Sequence, residues 1–161
     1  MALIKSISGF RGTIGGKTND GLTPIDTVKF VSAFAAFIKE TYNKENIKIV
    51  LGRDARVSGE MVSHLVVGTL MGMGVDVIDT GLSTTPTVEV AVTEKQADAG
   101  IILTASHNPM QWNALKFLNA KGEFISASEG QRVLELAASE DFLFAEVDKL
   151  GHCTSDTTTI D

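Results

Sequence analysis

Ser106, His107 and Asn108 stand side by side in the run Thr104-Ala105-Ser106-His107-Asn108-Pro109, with Asn113 and Lys116 close behind. Residues 100–103, Gly-Ile-Ile-Leu, precede it and read as a buried strand. Dense polar side chains directly after such a strand are a poor way to build a core and a good way to build a site. A serine hydroxyl is a weak nucleophile unless a neighbour takes its proton or balances the charge that develops. His107 and Lys116 are the nearby groups able to do that, although a histidine in this position is more often an orienting residue than a base. Taken singly, Ser106 and Asn108 could be ordinary turn formers. The ordered run together with Asn113 and Lys116 argues for a site.

Two further segments carry cations among glycines. In Ser8-Gly9-Phe10-Arg11-Gly12-Thr13, the glycines let the backbone approach closely, and a guanidinium binds phosphate through two N–H groups. The alternative for Arg11 is an exposed side chain on a flexible loop. In Gly52-Arg53-Asp54-Ala55-Arg56-Val57-Ser58-Gly59, Arg53 and Asp54 follow a strand and are expected to form a structural ion pair that fixes the loop. Phosphoryl transfer depends mostly on positioning and on neutralising phosphate oxygens, which suits such cations.

The three segments together resemble the α-D-phosphohexomutases. That family carries a Thr-Ala-Ser-His-Asn-Pro phosphoserine loop, then an Asn-Gly-x-Lys segment, an early Ser-Gly-x-Arg-Gly turn and a Gly-Arg-Asp-x-Arg segment. Here the second reads Asn113-Ala114-Leu115-Lys116, with alanine for the usual glycine, which would be strained if that position needs a positive φ. The resemblance covers about the first 125 residues. It implies a three-layer open mixed, mainly parallel sheet with helices on both faces. It also implies interconversion of hexose 6-phosphate and hexose 1-phosphate through a bisphosphate intermediate, with a hexose bisphosphate as primer. Ser106 would carry the phosphoryl group and, through it, bind Mg²⁺, a hard cation suited to phosphate and carboxylate oxygens. Arg11 would face the phosphoserine, Lys116 would stand beside the reacting oxygen, and His107 would belong to the catalytic set. Asn108, Asn113, Arg53 and Asp54 would support the substrate or the loops.

The family's metal-binding Asp-x-Asp-x-Asp-Arg loop, sugar-contact loop and phosphate-binding loop belong to three further domains and are absent from this sequence. Residues 1–150 are therefore expected to be a first domain, and 151–161 a linker or frayed tail toward an absent second one. The isolated chain is expected to be inactive. Residues 8–16, 53–59 and 111–114 look most like phosphoglucosamine mutases, with phosphoglucomutase or phosphomannomutase as the near alternative. A serine hydrolase is disfavoured: no Gly-x-Ser-x-Gly elbow surrounds Ser106, and His107 is badly placed to serve its own neighbour. A non-catalytic sugar-phosphate binding module remains the rival from another class.

The elements that must position these residues follow from pattern. Residues 3–7 suit a short strand, and the glycines from Gly9 to Gly21 suggest turns rather than regular structure. Thr23-Pro24 suits a helix start, followed by an apolar stripe at Val28, Val31, Phe34, Ala35 and Ile38. Residues 47–51 read as a strand. Ser58 is placed to cap a second helix, with Met61, Leu65, Leu70 and Met71 as its apolar residues. Residues 75–78 form a strand ended by Gly81, 86–92 a helix, 100–103 a central strand and 114–118 another strand. Ser126 or Ser128 would cap a last helix. Strand and helix alternate as in an open α/β sheet, where sites form at the carboxyl ends of strands. Residues 53–54, 81–85 and 104–109 would then cluster.

Bulk properties agree. With 161 residues, 43% hydrophobic and only 6% aromatic, the chain suits one α/β domain with an aliphatic core. The formal charge of −6 and the lack of a basic cluster exclude a general nucleic-acid binder. Cys153 is the single cysteine, has no intrachain partner and reads as a free surface thiol. No signal peptide is visible, and no apolar run approaches the ~20 residues of a membrane span, so a cytoplasmic protein is expected.

Overall fold

Thr23 starts the first helix, α1 (Pro24–Tyr42), through a reciprocal capping box: its side chain accepts from the Asp26 N–H, and Asp26 accepts back from the Thr23 N–H. The computed structural model describes residues 2–6 and 9–157. Met1, Ile7, Ser8 and 158–161 lie outside them, so the ends expected for the first strand, the early turn and the tail are not described. Around α1 the chain runs β1 (Leu3–Ser6), β2 (Gly9–Thr13), β3 (Lys48–Arg53), α2 (Gly59–Gly72), β4 (Asp76–Leu82), α3 (Thr85–Glu94), β5 (Ala99–Leu103), β6 (Trp112–Leu118), α4 (Ala127–Ser139) and β7 (Cys153–Ser155). Among these residues the seven strands form one sheet in the order β1-β2-β6-β5-β3-β4-β7.

The sheet is mixed and mainly parallel. β2, β3, β4, β5 and β7 point one way, while β1 and β6 oppose them. β5, nearly all apolar, lies at its centre between β6 and β3, as a strand buried on both faces should.

Alternation along the strands separates two cores. Ile49, Leu51, Ile101, Leu103, Leu115 and Phe117 face α1, α2 and α4. Val50, Ile102 and Leu118 face α3. Helices thus cover both faces, three on one side and one on the other. The larger core is held by rings: Phe10 stacks on Phe30 at 3.8 Å and meets Phe117 edge-on at 5.7 Å, while Phe34 stacks on Phe117 at 4.1 Å. Such pairs add roughly 0.5–1.5 kcal/mol each beyond area burial. On the surface, a bidentate Arg132–Glu40 pair braces α4 on α1. That hydrogen bond holds the Glu40 carboxyl below the usual carboxylate range against the opposing effect of burial. No described helix is long and apolar enough to cross a membrane.

Several expectations need correction. Residues 9–13 are a strand, not turns: β2 pairs antiparallel with both β1 and β6, and its glycines serve close approach. The buried stripe of α2 is Val62, Val66 and Leu70 rather than the methionines, because the i, i+4, i+8 valine-leucine row faces the sheet and leaves Met61 exposed. Ser58 precedes α2 but makes no side-chain cap. In α1, Phe30 and Phe37 join the buried face and Val28 is only half-buried. The tail is not frayed at 153–155, which add β7 in parallel to β4. Cys153 on β7 is an exposed free thiol, and partial burial of its sulfur together with the Asp79 carboxylate pushes its pKa up.

α3 can lie close because two central strands present glycine to it. A Cβ on Gly52 would come within 2.4 Å of Val88 Cγ2, and one on Gly100 within 2.7 Å of Val92 Cγ2. Gly100→Ala is therefore expected to destabilise the chain by about 1–3 kcal/mol through overpacking. Urea unfolding of the two proteins checks this, and an unchanged midpoint would show that α3 does not rest on Gly100.

Candidate active site

Phe10 fixes the strand that carries Arg11. Its ring lies in the larger core between Phe30 and Phe117, so alternation turns Gly9 and Arg11 to the opposite face. Register then sets Arg11 opposite Ala114 and Gly9 opposite Lys116. Gly9 must be glycine, since a Cβ there would sit 1.9 Å from the Leu115 carbonyl oxygen. Because α3 packs mainly on β3 and β5 and meets β6 at Leu118, this face is left open toward β2 and the Lys116 end of β6.

A cleft of about 240 Å³ opens there, lined among others by Ser6, Arg11, Ser106, Asn108 and Lys116. Its charged lining residues are Arg11 and Lys116, and no carboxylate among the described residues lines it. In a chain of net charge −6 this is a local cationic pocket suited to an anion.

The loop from β5 to β6 brings Ser106 to the cleft. Lys116 Nζ donates to Ser106 Oγ at 3.0 Å, and the Ser106 N–H donates to Thr104 Oγ1 at 3.2 Å. Ser106 has φ +53°, the left-handed region, which costs an L-residue with a Cβ roughly 1–2 kcal/mol. Such strain persists only where the surroundings enforce it. Arg11 Nη1 donates to Asn108 Oδ1 at 3.4 Å, and its guanidinium carbon lies 5.9 Å from the Trp112 ring centroid. Ser106, Lys116, Arg11 and Asn108 are thus brought together.

The other expected residues stand elsewhere. His107 is exposed, does not line the cleft and makes no hydrogen bond among the described residues. Asn113 is fully buried; its Nδ2 donates to Ser58 Oγ at 2.9 Å, tying β6 to the start of α2. Ser58 itself has helical backbone angles (φ −77°, ψ −9°), not the extended ones of a capping residue. Ala114 sits in the extended β6 strand without positive φ, so alanine there is unstrained.

Arg53 and Asp54 line a separate hollow of about 440 Å³ with Leu82, Ser83 and Thr84. The three strand ends expected to cluster are therefore divided between two depressions. The expected Arg53–Asp54 ion pair does not form. Asp54 turns to Arg56 instead, accepting from its N–H at 3.2 Å and standing 3.6 Å from its Nε. Arg56, quoted in the sequence segment but given no role there, reaches the backbone of the Ser106 loop. The available signal was its spacing of two from Asp54.

The residues present do not fit a complete Mg²⁺ site. Among the described residues no group of three or more His, Cys, Asp or Glu could hold a metal, and a phosphorylated Ser106 would supply only phosphate oxygens. Carboxylate ligands would have to come from outside this chain.

Comparison with known proteins follows the same lines. Residues 3–144 match the family model for "Phosphoglucomutase/phosphomannomutase, alpha/beta/alpha domain I". The chain is 38% identical over 142 residues to a phosphoglucomutase/phosphomannomutase of Thermococcus kodakarensis, covering 87% of this chain and 31% of that protein. It is 34% identical over 134 residues to a phosphoglucosamine mutase of a Sulfurovum species, covering 82% and 30%. A crystal structure assigned to a phosphomannomutase of Thermus thermophilus superposes with a TM-score of 0.78 at 27% identity, over 96% of this chain and 33% of that one. A Burkholderia thailandensis family protein gives the same TM-score at 22% identity and shares the fold. The chain spans about a third of the length of the curated relatives it matches. From this match and this fold, the chain belongs to the phosphoglucomutase/phosphomannomutase family, as its α/β/α domain I.

Proposed function

We propose that residues 1–150 are the phosphoryl-carrying first domain of a phosphohexomutase that interconverts hexose 6-phosphate and hexose 1-phosphate, with Ser106 as the carrier. The observation that supports this most is the Lys116 Nζ to Ser106 Oγ contact of 3.0 Å inside a cleft whose other charged lining residue is Arg11. Two cations without a facing carboxylate suit a phosphate dianion.

In the forward step a hydroxyl oxygen of the sugar attacks the phosphorus on Ser106 and gives up its proton to water or to a base in the rest of the protein. The P–Oγ bond breaks with its electron pair on Oγ, and Lys116 delivers a proton there, leaving the serine hydroxyl. In the return step Lys116, now neutral, takes the hydroxyl proton as Oγ attacks the other phosphoryl group of the bisphosphate; the sugar O–P bond breaks with its electron pair on the sugar oxygen, which regains a proton from water or from the protonated base of the first step. Arg11 leaves Asn108 to grip phosphate oxygens through two N–H groups. His107 is exposed beside the cleft, and we assign it contacts with the substrate or with the rest of the protein. A divalent cation, if held by the Ser106 phosphate with carboxylates from outside this chain, would supply charge neutralisation. A hexose bisphosphate would prime Ser106. This chain alone, a third of its relatives' length, is expected to be inactive.

Among sugars, glucosamine phosphate is our first choice, supported by the Sulfurovum relative's name and by residues 8–16, 53–59 and 111–114. Glucose and mannose phosphates are the alternatives, supported by the Thermococcus relative. Steady-state kinetics of the full-length protein, primed and with Mg²⁺, on the three 6-phosphates tests this. We expect the highest kcat/KM on glucosamine 6-phosphate and no turnover in Ser106→Ala. Lys116→Ala is expected to lower kcat by about 100-fold or more, the scale of lost acid–base catalysis. Folded, primed protein inactive on all three sugars would favour a non-catalytic sugar-phosphate binding module.

A further inference from the structure

We infer that Arg56 is the positioning residue of the Ser106 loop: its guanidinium gathers three loop carbonyls and the first carbonyl of β6, holds Ser106 in its left-handed conformation and keeps the Ser106 and Asn108 carbonyls turned away from the phosphate cleft. This rests on the proposed phosphoryl-carrying role of Ser106, which it deepens.

The geometry is specific. Arg56 Nη2 donates to the Ser106 carbonyl at 2.9 Å and to the Asn108 carbonyl at 2.7 Å. Nη1 donates to the Pro109 carbonyl at 2.7 Å and to the Trp112 carbonyl at 3.1 Å. The four N–H groups of the two terminal nitrogens thus have one carbonyl each. The fifth donor, Nε, faces Asp54 Oδ2 at 3.6 Å, and the Arg56 backbone N–H donates to Asp54 Oδ1. The Arg56 side chain is only 13% exposed.

At its two ends the loop is held by Thr104 N–H to the Ala114 carbonyl and by Ile14 N–H to the Gln111 carbonyl, whereas its middle depends on Arg56 for its carbonyls. Its own backbone bonds are Asn108 N–H to the Ala105 carbonyl and Trp112 N–H to the Pro109 carbonyl, and Pro109 has no N–H to offer. Without Arg56 the Ser106 and Asn108 carbonyls would have no partner among the described residues. Nothing else among those contacts reaches across from a neighbouring element to bind the loop backbone at 106 and 108.

Arg56 does not line the cleft. Ser106 and Asn108 do, with Oγ and Oδ1 bonded to the lining residues Lys116 and Arg11, while their carbonyl oxygens accept from Arg56. The negative ends of these peptide dipoles are therefore kept from a pocket that would hold a phosphate dianion. Arg56 touches neither Ser106 Oγ nor the reacting phosphate, so it acts through the loop. Lysine cannot replace it, because one ammonium carries three donors on one atom and cannot span four carbonyls.

The test uses the full-length protein with Arg56→Ala and Arg56→Lys, read by kinetics and by amide hydrogen exchange. We expect kcat to fall about 100-fold in Arg56→Ala, the penalty of an ångström-scale misplacement, with KM for the hexose phosphate little changed. Millimolar methylguanidinium should restore part of kcat in Arg56→Ala and none in Ser106→Ala. In both Arg56 variants, amides of residues 105–112 should exchange faster while those of β3, β5 and α1 stay protected. Unchanged kcat, or exchange that is unchanged in the loop or accelerated throughout the domain, would overturn the assignment. If the unmodified protein has no mutase activity yet the loop alone loosens, the loop-holding role stands and the proposed function fails instead.

Discussion

The antiparallel pairing of β2 with β6 is the constraint on which the site depends. It sets Gly9 opposite Lys116 and Arg11 opposite Ala114, so both cations emerge on one face of the sheet. The pairing is possible at this distance because Gly9 carries no side chain to strike the Leu115 carbonyl. Its position is fixed from behind by Phe10, clasped between Phe30 and Phe117. A slip of one residue would turn Arg11 into the core and Phe10 into the cleft. The aromatic cluster is therefore as much a register device as a source of stability.

Coverage of the sheet is uneven, and that unevenness makes room for chemistry. Three helices close one face, while α3 alone covers the other, seated low on Gly52 and Gly100. The part of this face toward β2 and the Lys116 end of β6 is open as a cleft, and the loop after β5 forms one of its walls. Rigidity comes from strands on two sides and from Arg56 on the third. A phosphate-sized anion in the cleft would meet two cations held by strands, Arg11 on β2 and Lys116 on β6, which would limit the reorganisation that binding requires.

Local signals in the sequence were strong where side-chain chemistry was local. Thr23-Pro24 announced α1 because capping involves residues three apart, and the apolar run at 100–103 announced the central strand. The run from Thr104 to Pro109, with Lys116, announced the cleft, since a strand end and its following loop are contiguous in sequence. Long-range pairing was not legible. Glycines hid β2, whose strand character comes from its partners β1 and β6. The polar tail concealed β7, an edge strand needing no apolar core side. Asp54 was assigned to its neighbour Arg53, but adjacent side chains diverge after a strand, and the residue two places on, Arg56, returns to meet it. His107 was drawn into the site by adjacency to Ser106, and the loop turns it outward instead.

The central claim is that Ser106 carries a phosphoryl group. Its most direct measurement is peptide mapping by mass spectrometry of the full-length protein after incubation with a hexose 1,6-bisphosphate. The account predicts one added phosphoryl group, located on Ser106 and discharged when hexose 6-phosphate is added in excess. Phosphate on a different residue, or turnover with no covalent phosphate at any time, would contradict it.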